Sequence, residues 1–98
     1  NEMLANRYLI DGQAEQAAEI YQQILARKDA GGRTRCRLIA SLALAGRTGE
    51  AVTELQQLVG EGGSPLARLQ DSCARLLPEA LLGRVRTALS TEMQKGSR

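Results

Sequence analysis

The chain has 98 residues, of which 13 are basic and 11 acidic, so its net charge is +2. This length fits a single domain, and 43% hydrophobic residues is typical of a globular protein rather than a disordered one. The near-neutral charge argues against nucleic acid as the main partner, and the longest apolar run, residues 38–45, is too short to span a bilayer.

The first half of the chain predicts two helices joined by a glycine turn. They cover residues 2–11 and 13–28, with Gly12 between them. In the second helix apolar residues recur at intervals of three and four, which indicates one buried face. These residues are Ala14, Ala17, Ala18, Tyr21, Ile24 and Leu25. A loop at 29–34 follows.

The second half predicts four further helices. The third and fourth, at 34–45 and 47–60, are again joined by a glycine, Gly46. Ser64 is a plausible N-cap of the fifth helix, and Pro65 suits its first helical position. Pro78 is expected to break the chain and to start the last helix, near 78–93.

The sequence repeats itself at an offset of 34 residues. The identical pairs are Leu4 and Leu38, Gly12 and Gly46, Ala17 and Ala51, Gln22 and Gln56, and Gln23 and Gln57. A period of 34 is the signature of a helix–turn–helix repeat. It divides one domain, residues 1–93, into units at about 1–30, 31–63 and 64–93, and leaves 94–98 as a disordered tail. The third unit is degenerate, as terminal repeats often are.

Cys36 and Cys73 are the only cysteines, and the chain has no histidine. Two thiols without further ligands make a poor zinc site, and their spacing is not that of a redox CxxC motif. Both lie in apolar stretches, so two buried, reduced cysteines are expected, with a single disulfide as the alternative. No metal and no cofactor is expected.

The first unit resembles a tetratricopeptide repeat (TPR). The residues that carry the resemblance are Leu4, Ala5, Tyr8, Gly12, Ala17 and Tyr21. The second unit keeps Leu38, Gly46 and Ala51, so the resemblance covers residues 1–60 well and the remainder weakly. It implies an all-α fold, a right-handed α-α superhelix (a TPR-like solenoid) of about three helical hairpins.

The resemblance also implies a concave groove formed by the first helix of each unit. Its candidate peptide-binding residues are Glu2, Asn6, Leu9, Arg33, Cys36, Arg37, Ala40, Ala43, Leu44, Gln70, Asp71 and Ala74. Ile10 and Leu77 lie along it as well, but core packing explains them equally. The carboxylate clamp of chaperone-binding TPRs is absent: Asn6 matches one of its positions, but the other positions are occupied by Cys36, Ala40, Gln70 and Ala74. The groove suits an amphipathic helix or an extended apolar peptide.

The residues predict a binding protein and not an enzyme. Without histidine there is no histidine base or triad, and no phosphate-binding loop is present. The expected function is a protein–protein interaction module or scaffold within a larger bacterial assembly, with a protein or peptide partner, no nucleic acid and no direct membrane insertion. One alternative is a small TPR-like chaperone of a secretion-system subunit, because residues 37–52 faintly resemble type III secretion chaperones. Another is self-association through the solenoid ends. The cytoplasm is slightly favoured, and the periplasm stays open.

Overall fold

A computed structural model describes residues 2–27, 32–59 and 65–96. These residues form six α-helices and include no strand. The helices are α1 (Glu2–Ile10), α2 (Ala14–Arg27), α3 (Gly32–Leu44), α4 (Thr48–Val59), α5 (Pro65–Cys73) and α6 (Glu79–Gly96). The all-α prediction is therefore confirmed for this part of the chain.

The helix boundaries differ from the sequence prediction by more than one residue at two helix ends. α3 begins at Gly32, two residues before the expected start at 34. α6 continues to Gly96, so part of the predicted tail is helical. α5 begins at Pro65, as predicted, while its proposed N-cap Ser64 lies outside the described residues.

The first two hairpins turn in the same way. Gly12 and Gly46 have φ angles of 85° and 86°, which only glycine adopts without steric cost. In each turn the residue after the glycine donates its backbone N–H to the carbonyl four residues before the glycine, over 2.8 and 2.9 Å. This is the Schellman ending of a helix. The two turns are thus equivalent and lie 34 residues apart.

α3 is the central helix of the fold and contacts α2, α4, α5 and α6. Its buried residues point in every direction around the helix axis. They are Thr34, Cys36, Leu38, Ile39, Ala40, Ser41, Leu42 and Ala43. The Ser41 hydroxyl donates to the Arg37 carbonyl over 2.9 Å, so the polar group satisfies its hydrogen bond within the helix. A helix buried on all sides needs this small or apolar surface throughout.

The third hairpin packs differently from the first two. α6 contacts α3 and α4 more extensively than it contacts its own hairpin partner α5. Leu82, Val85 and Leu89 form the buried face of α6. The Thr48 hydroxyl at the start of α4 donates to Glu92 Oε1 on α6 over 2.7 Å. The last helix therefore covers the surface of α3 that the sequence prediction left open.

Cys36 and Cys73 form a disulfide, with their Cα atoms 5.7 Å apart, so the prediction of reduced cysteines was wrong. Both side chains are buried, as the apolar sequence around them suggested. They meet because α5 packs against α3, as the repeat register allowed when it placed both cysteines on first helices of neighbouring units. A cross-link across 37 residues stabilises the fold by about 4 kcal/mol in the chain-entropy account.

An ion cluster at the α3–α4 turn joins the first two hairpins. The Arg47 guanidinium donates to Glu50 on α4 and to Glu15 Oε1 on α2, the latter over 2.9 Å. The hydrogen bond from Arg47 holds the pKa of Glu50 below its usual value. Any stabilisation from this shift is present above the unfolded pKa of Glu50 and is lost as pH falls through the folded value. Because the cluster is exposed, it orients the turn and adds little stability.

The turn glycine makes one testable prediction. Gly46→Ala should lower the free energy of unfolding by about 1–2 kcal/mol, because a Cβ is strained at positive φ. Gly83→Ala is the matched control, since this helical glycine has open space around an added Cβ. It should instead raise the free energy of unfolding by about 0.5–1 kcal/mol. Urea unfolding monitored by circular dichroism measures both changes. Changes of the same sign would contradict the positive φ angle assigned to Gly46.

The repeat register makes a second prediction. Ala51 on α4 has no exposed surface, so Ala51→Leu should overpack the core and cost about 1–3 kcal/mol. Ala26→Leu adds the same side chain at an exposed position of α2 and should stay within about 0.5 kcal/mol of the wild type. Thermal unfolding compares the two variants. An Ala51→Leu protein that melts like the wild type would show that this face of α4 is not closely packed.

Candidate binding cleft

The structure closes the middle of the groove predicted from the sequence. Cys36 and Ala40 are 1% and 0% exposed, and Leu9 and Ala43 are 4% and 5% exposed. Because α5 and α6 pack against α3, Cys36 and Ala40 belong to the core and offer no surface to a partner. The expectation that these two residues line an open floor is corrected accordingly.

The other candidate residues lie at several places on the surface. Asn6, Arg37, Leu44 and Gln70 are partly exposed, while Asp71 and Ala74 are exposed. Gln70 accepts a hydrogen bond from Arg86 Nη1 over 3.2 Å. The side chains of Glu2 and Arg33 lie outside the described part of the structure.

Two separate depressions replace the single predicted groove. Ala43 and Leu44 border a wide depression of about 700 Å³ whose other wall is α6. Asn6, Leu9 and Arg37 border a smaller cleft of about 250 Å³, here called the apolar cleft. The full lining of the apolar cleft is Asn6, Leu9, Ile10, Arg37, Leu76, Leu77, Pro78 and Leu81. It lies between α1, α3 and the connection from α5 to α6.

The sequence prediction found part of this cleft and missed the rest. It placed Ile10 and Leu77 along the groove beside the three candidates that line the cleft. It missed Leu76, Pro78 and Leu81, which come from the α5–α6 connection and the start of α6. At the 34-residue offset Leu76 corresponds to the buried Leu42, whereas the turn glycine that would align Pro78 and Leu81 is replaced by Ala80. The proline after a pair of leucines was their only visible signal.

The cleft is mainly apolar and borders a face of α1 that exposes two apolar side chains, Met3 and Ile10, here called the α1 stripe. Six of the eight lining residues of the cleft are apolar. Ile10 is 67% exposed, and Met3, seven residues earlier on the same face of α1, is 82% exposed. Asn6 and Arg7 lie between them on this face, so Ile10 extends the apolar surface of the cleft and Met3 lies two turns away.

Two polar side chains border the apolar surface. The buried Tyr21 hydroxyl of α2 donates to Asn6 Oδ1, which holds the side-chain amide of Asn6 at the cleft. Arg37 on α3 is the only charged residue of the lining. The site therefore combines an apolar surface with one amide and one positive charge.

Other kinds of site are not seen in the part of the chain that the structure describes. It brings together no group of three or more His, Cys, Asp or Glu side chains that could bind a metal ion. None of its helices combines the length and apolar character that crossing a membrane requires. No protein-family model, curated protein or solved structure matches this chain. The geometry and chemistry of the cleft are therefore the basis for a functional proposal.

Proposed function

We propose that this chain is a TPR-like protein-interaction module, a right-handed superhelix of helical hairpins, that binds an amphipathic helix of a partner protein in the apolar cleft. The observation that carries the proposal is the apolar lining of the cleft, which borders the α1 stripe. The two equivalent glycine turns, 34 residues apart, support the repeat architecture. The module performs no catalysis.

The size of the cleft favours protein side chains over a small-molecule cofactor. Pockets for small molecules usually enclose about 300–1,000 Å³ and bury most of the ligand. The apolar cleft, at about 250 Å³, lies below that range and opens onto the α1 surface. It is large enough for a few apolar side chains presented by a larger partner.

The chemistry of the cleft favours a helix over other peptide conformations. Strand addition needs an exposed sheet edge, and the described residues contain no strand. Grooves for polyproline helices are lined by aromatic residues, and the lining of the cleft contains none. An amphipathic helix needs only an apolar groove for anchors at positions i, i+3 or i+4, and i+7. The apolar cleft and the α1 stripe provide that surface.

Arg37 and Asn6 would select the partner rather than supply most of the affinity. Polar groups at an interface mainly set orientation and specificity, while apolar burial stabilises the complex. A carboxylate on the polar side of the partner helix would be favoured beside Arg37. Leu9, Ile10 and Leu81 would contact its apolar side.

A scaffold within a larger bacterial assembly is the setting that we favour for this module. A chaperone of a secretion-system subunit uses the same surface, with the subunit helix as the ligand. Self-association has one observation in its favour, since Met3 and Ile10 give α1 an exposed apolar stripe. Sedimentation equilibrium distinguishes self-association from binding to another protein. A self-associating chain would dimerise through this stripe, and an Ile10→Glu variant would stay monomeric.

The binding proposal is tested with a displayed library of 16-residue amphipathic helices that carry apolar anchors on one face. Peptides selected against the wild type should bind Ile10→Glu at least about tenfold more weakly, because the variant places a charge against the apolar anchors. Ile10 is largely exposed, so the substitution should leave the fold intact. Fluorescence anisotropy gives the dissociation constants.

Gln22→Glu is the matched control, because it adds the same charge at an exposed position of α2. It should bind the selected peptides as the wild type does. Equal affinity of the wild type, Ile10→Glu and Gln22→Glu would exclude the cleft as the site. A library that yields no binder would count against helix binding altogether.

A further inference from the structure

The disulfide joins two chain segments that lead directly to lining residues of the apolar cleft. Cys36 precedes the lining residue Arg37 on α3, and Cys73 is the last residue of α5, three residues before the lining residue Leu76. Both cysteines are buried, with 1% and 0% of their surface exposed. The covalent bond therefore fixes two walls of the cleft to each other.

Cys73 also organises the connection that forms one of these walls. Its carbonyl oxygen accepts hydrogen bonds from the backbone N–H groups of Leu76 and Leu77, over 3.0 and 3.2 Å. The chain then reaches Pro78, whose carbonyl accepts from Leu82 in the first turns of α6. The position of Cys73 thus sets the position of the α5–α6 connection.

The α5–α6 connection, residues 74–78, has one buried side chain, Leu77, and no glycine turn. The first two hairpins turn at glycines with positive φ, whereas no residue of the described α5–α6 connection has positive φ. α5 is only nine residues long, and its fully buried side chains among those described are Leu69 and Cys73. A short helix with few buried side chains opens at low free-energy cost, so the cross-link restrains the segment together with the packing of Leu77 and Leu82.

We propose that the Cys36–Cys73 disulfide positions the apolar cleft and makes ligand binding there dependent on redox state. A dithiol reductant transfers two electrons to the disulfide and, with two protons, gives two thiols and an oxidised reductant. The end of α5 is then released from α3, and the wall formed by Leu76, Leu77 and Pro78 loses its fixed position. An oxidising compartment keeps the cleft formed. The binding consequence rests on the proposed function, whereas the structural consequence does not.

The first experiment needs no ligand. Hydrogen exchange measured by mass spectrometry compares the oxidised protein, the protein reduced with dithiothreitol, and a Cys36→Ala/Cys73→Ala double variant. In the last two, exchange across residues 74–82 should rise about tenfold or more, while α2 keeps its protection. Dithiothreitol should change nothing further in the double variant, which controls for effects of the reductant itself.

Each other outcome overturns the proposal. Unchanged exchange at 74–82 after reduction would show that packing alone holds the wall. Loss of protection in α2 together with 74–82 in the reduced wild type would show that the bond maintains the whole fold rather than the cleft. An intact mass without the loss of two hydrogens would show that the cysteines are not paired. These readouts on the reduced wild type remain available even if the double variant fails to fold.

A second experiment connects the disulfide to binding. Peptides selected against the oxidised protein should bind the reduced protein at least about tenfold more weakly. Increased exchange at 74–82 with no peptide bound by either form would leave the structural role of the disulfide standing and would reject the proposed function. Equal peptide affinity for the oxidised and reduced forms would reject the redox dependence and leave helix binding standing.

Discussion

The burial of α3 on all sides is the constraint on which the rest of the structure depends. A helix of 13 residues is covered by four others, and only small or apolar side chains fit between their backbones. Its single fully buried hydroxyl, on Ser41, bonds to a carbonyl of the same helix. A domain of this length buries only about 60–65% of its unfolded surface, so one helix covered by several others makes efficient use of a limited apolar content.

The cleft arises where the repeat becomes irregular. Glycine turns give the first two hairpins a shared geometry that packs each pair of helices closely. The third hairpin lacks such a turn, and its last helix packs across α3 and α4 instead. The connection between α5 and α6 does not fill the space beside α1, so the apolar cleft lies between this connection and α1. The third, irregular hairpin therefore forms a cleft, whereas the described helices of the first two hairpins pack without one.

The disulfide fits this division between regular and irregular parts. The first two hairpins are held together mainly by buried apolar faces. The short α5 contributes few buried side chains, and a covalent bond to α3 supplements their packing. Small domains often use cross-links in this way, because each closed loop restricts the unfolded chain without requiring more core.

The sequence by itself determined the local structure of this protein. Apolar residues at intervals of three and four set the helices, Gly12 and Gly46 set two turns, and Pro65 set the start of α5, because these signals act within a few neighbouring residues. Five of the lining residues of the cleft were also placed along the predicted groove, because the resemblance to TPR repeats assigned them to the inner faces of the first helices.

Only the tertiary structure decided the rest. It placed α6 against α3, buried Ala40, joined Cys36 to Cys73, and brought Leu76, Pro78 and Leu81 to the cleft. These outcomes depend on how a degenerate third hairpin packs against the other two. That packing depends on the shape and burial of residues that lie far apart in the chain. A pattern within a few neighbouring residues therefore does not predict it.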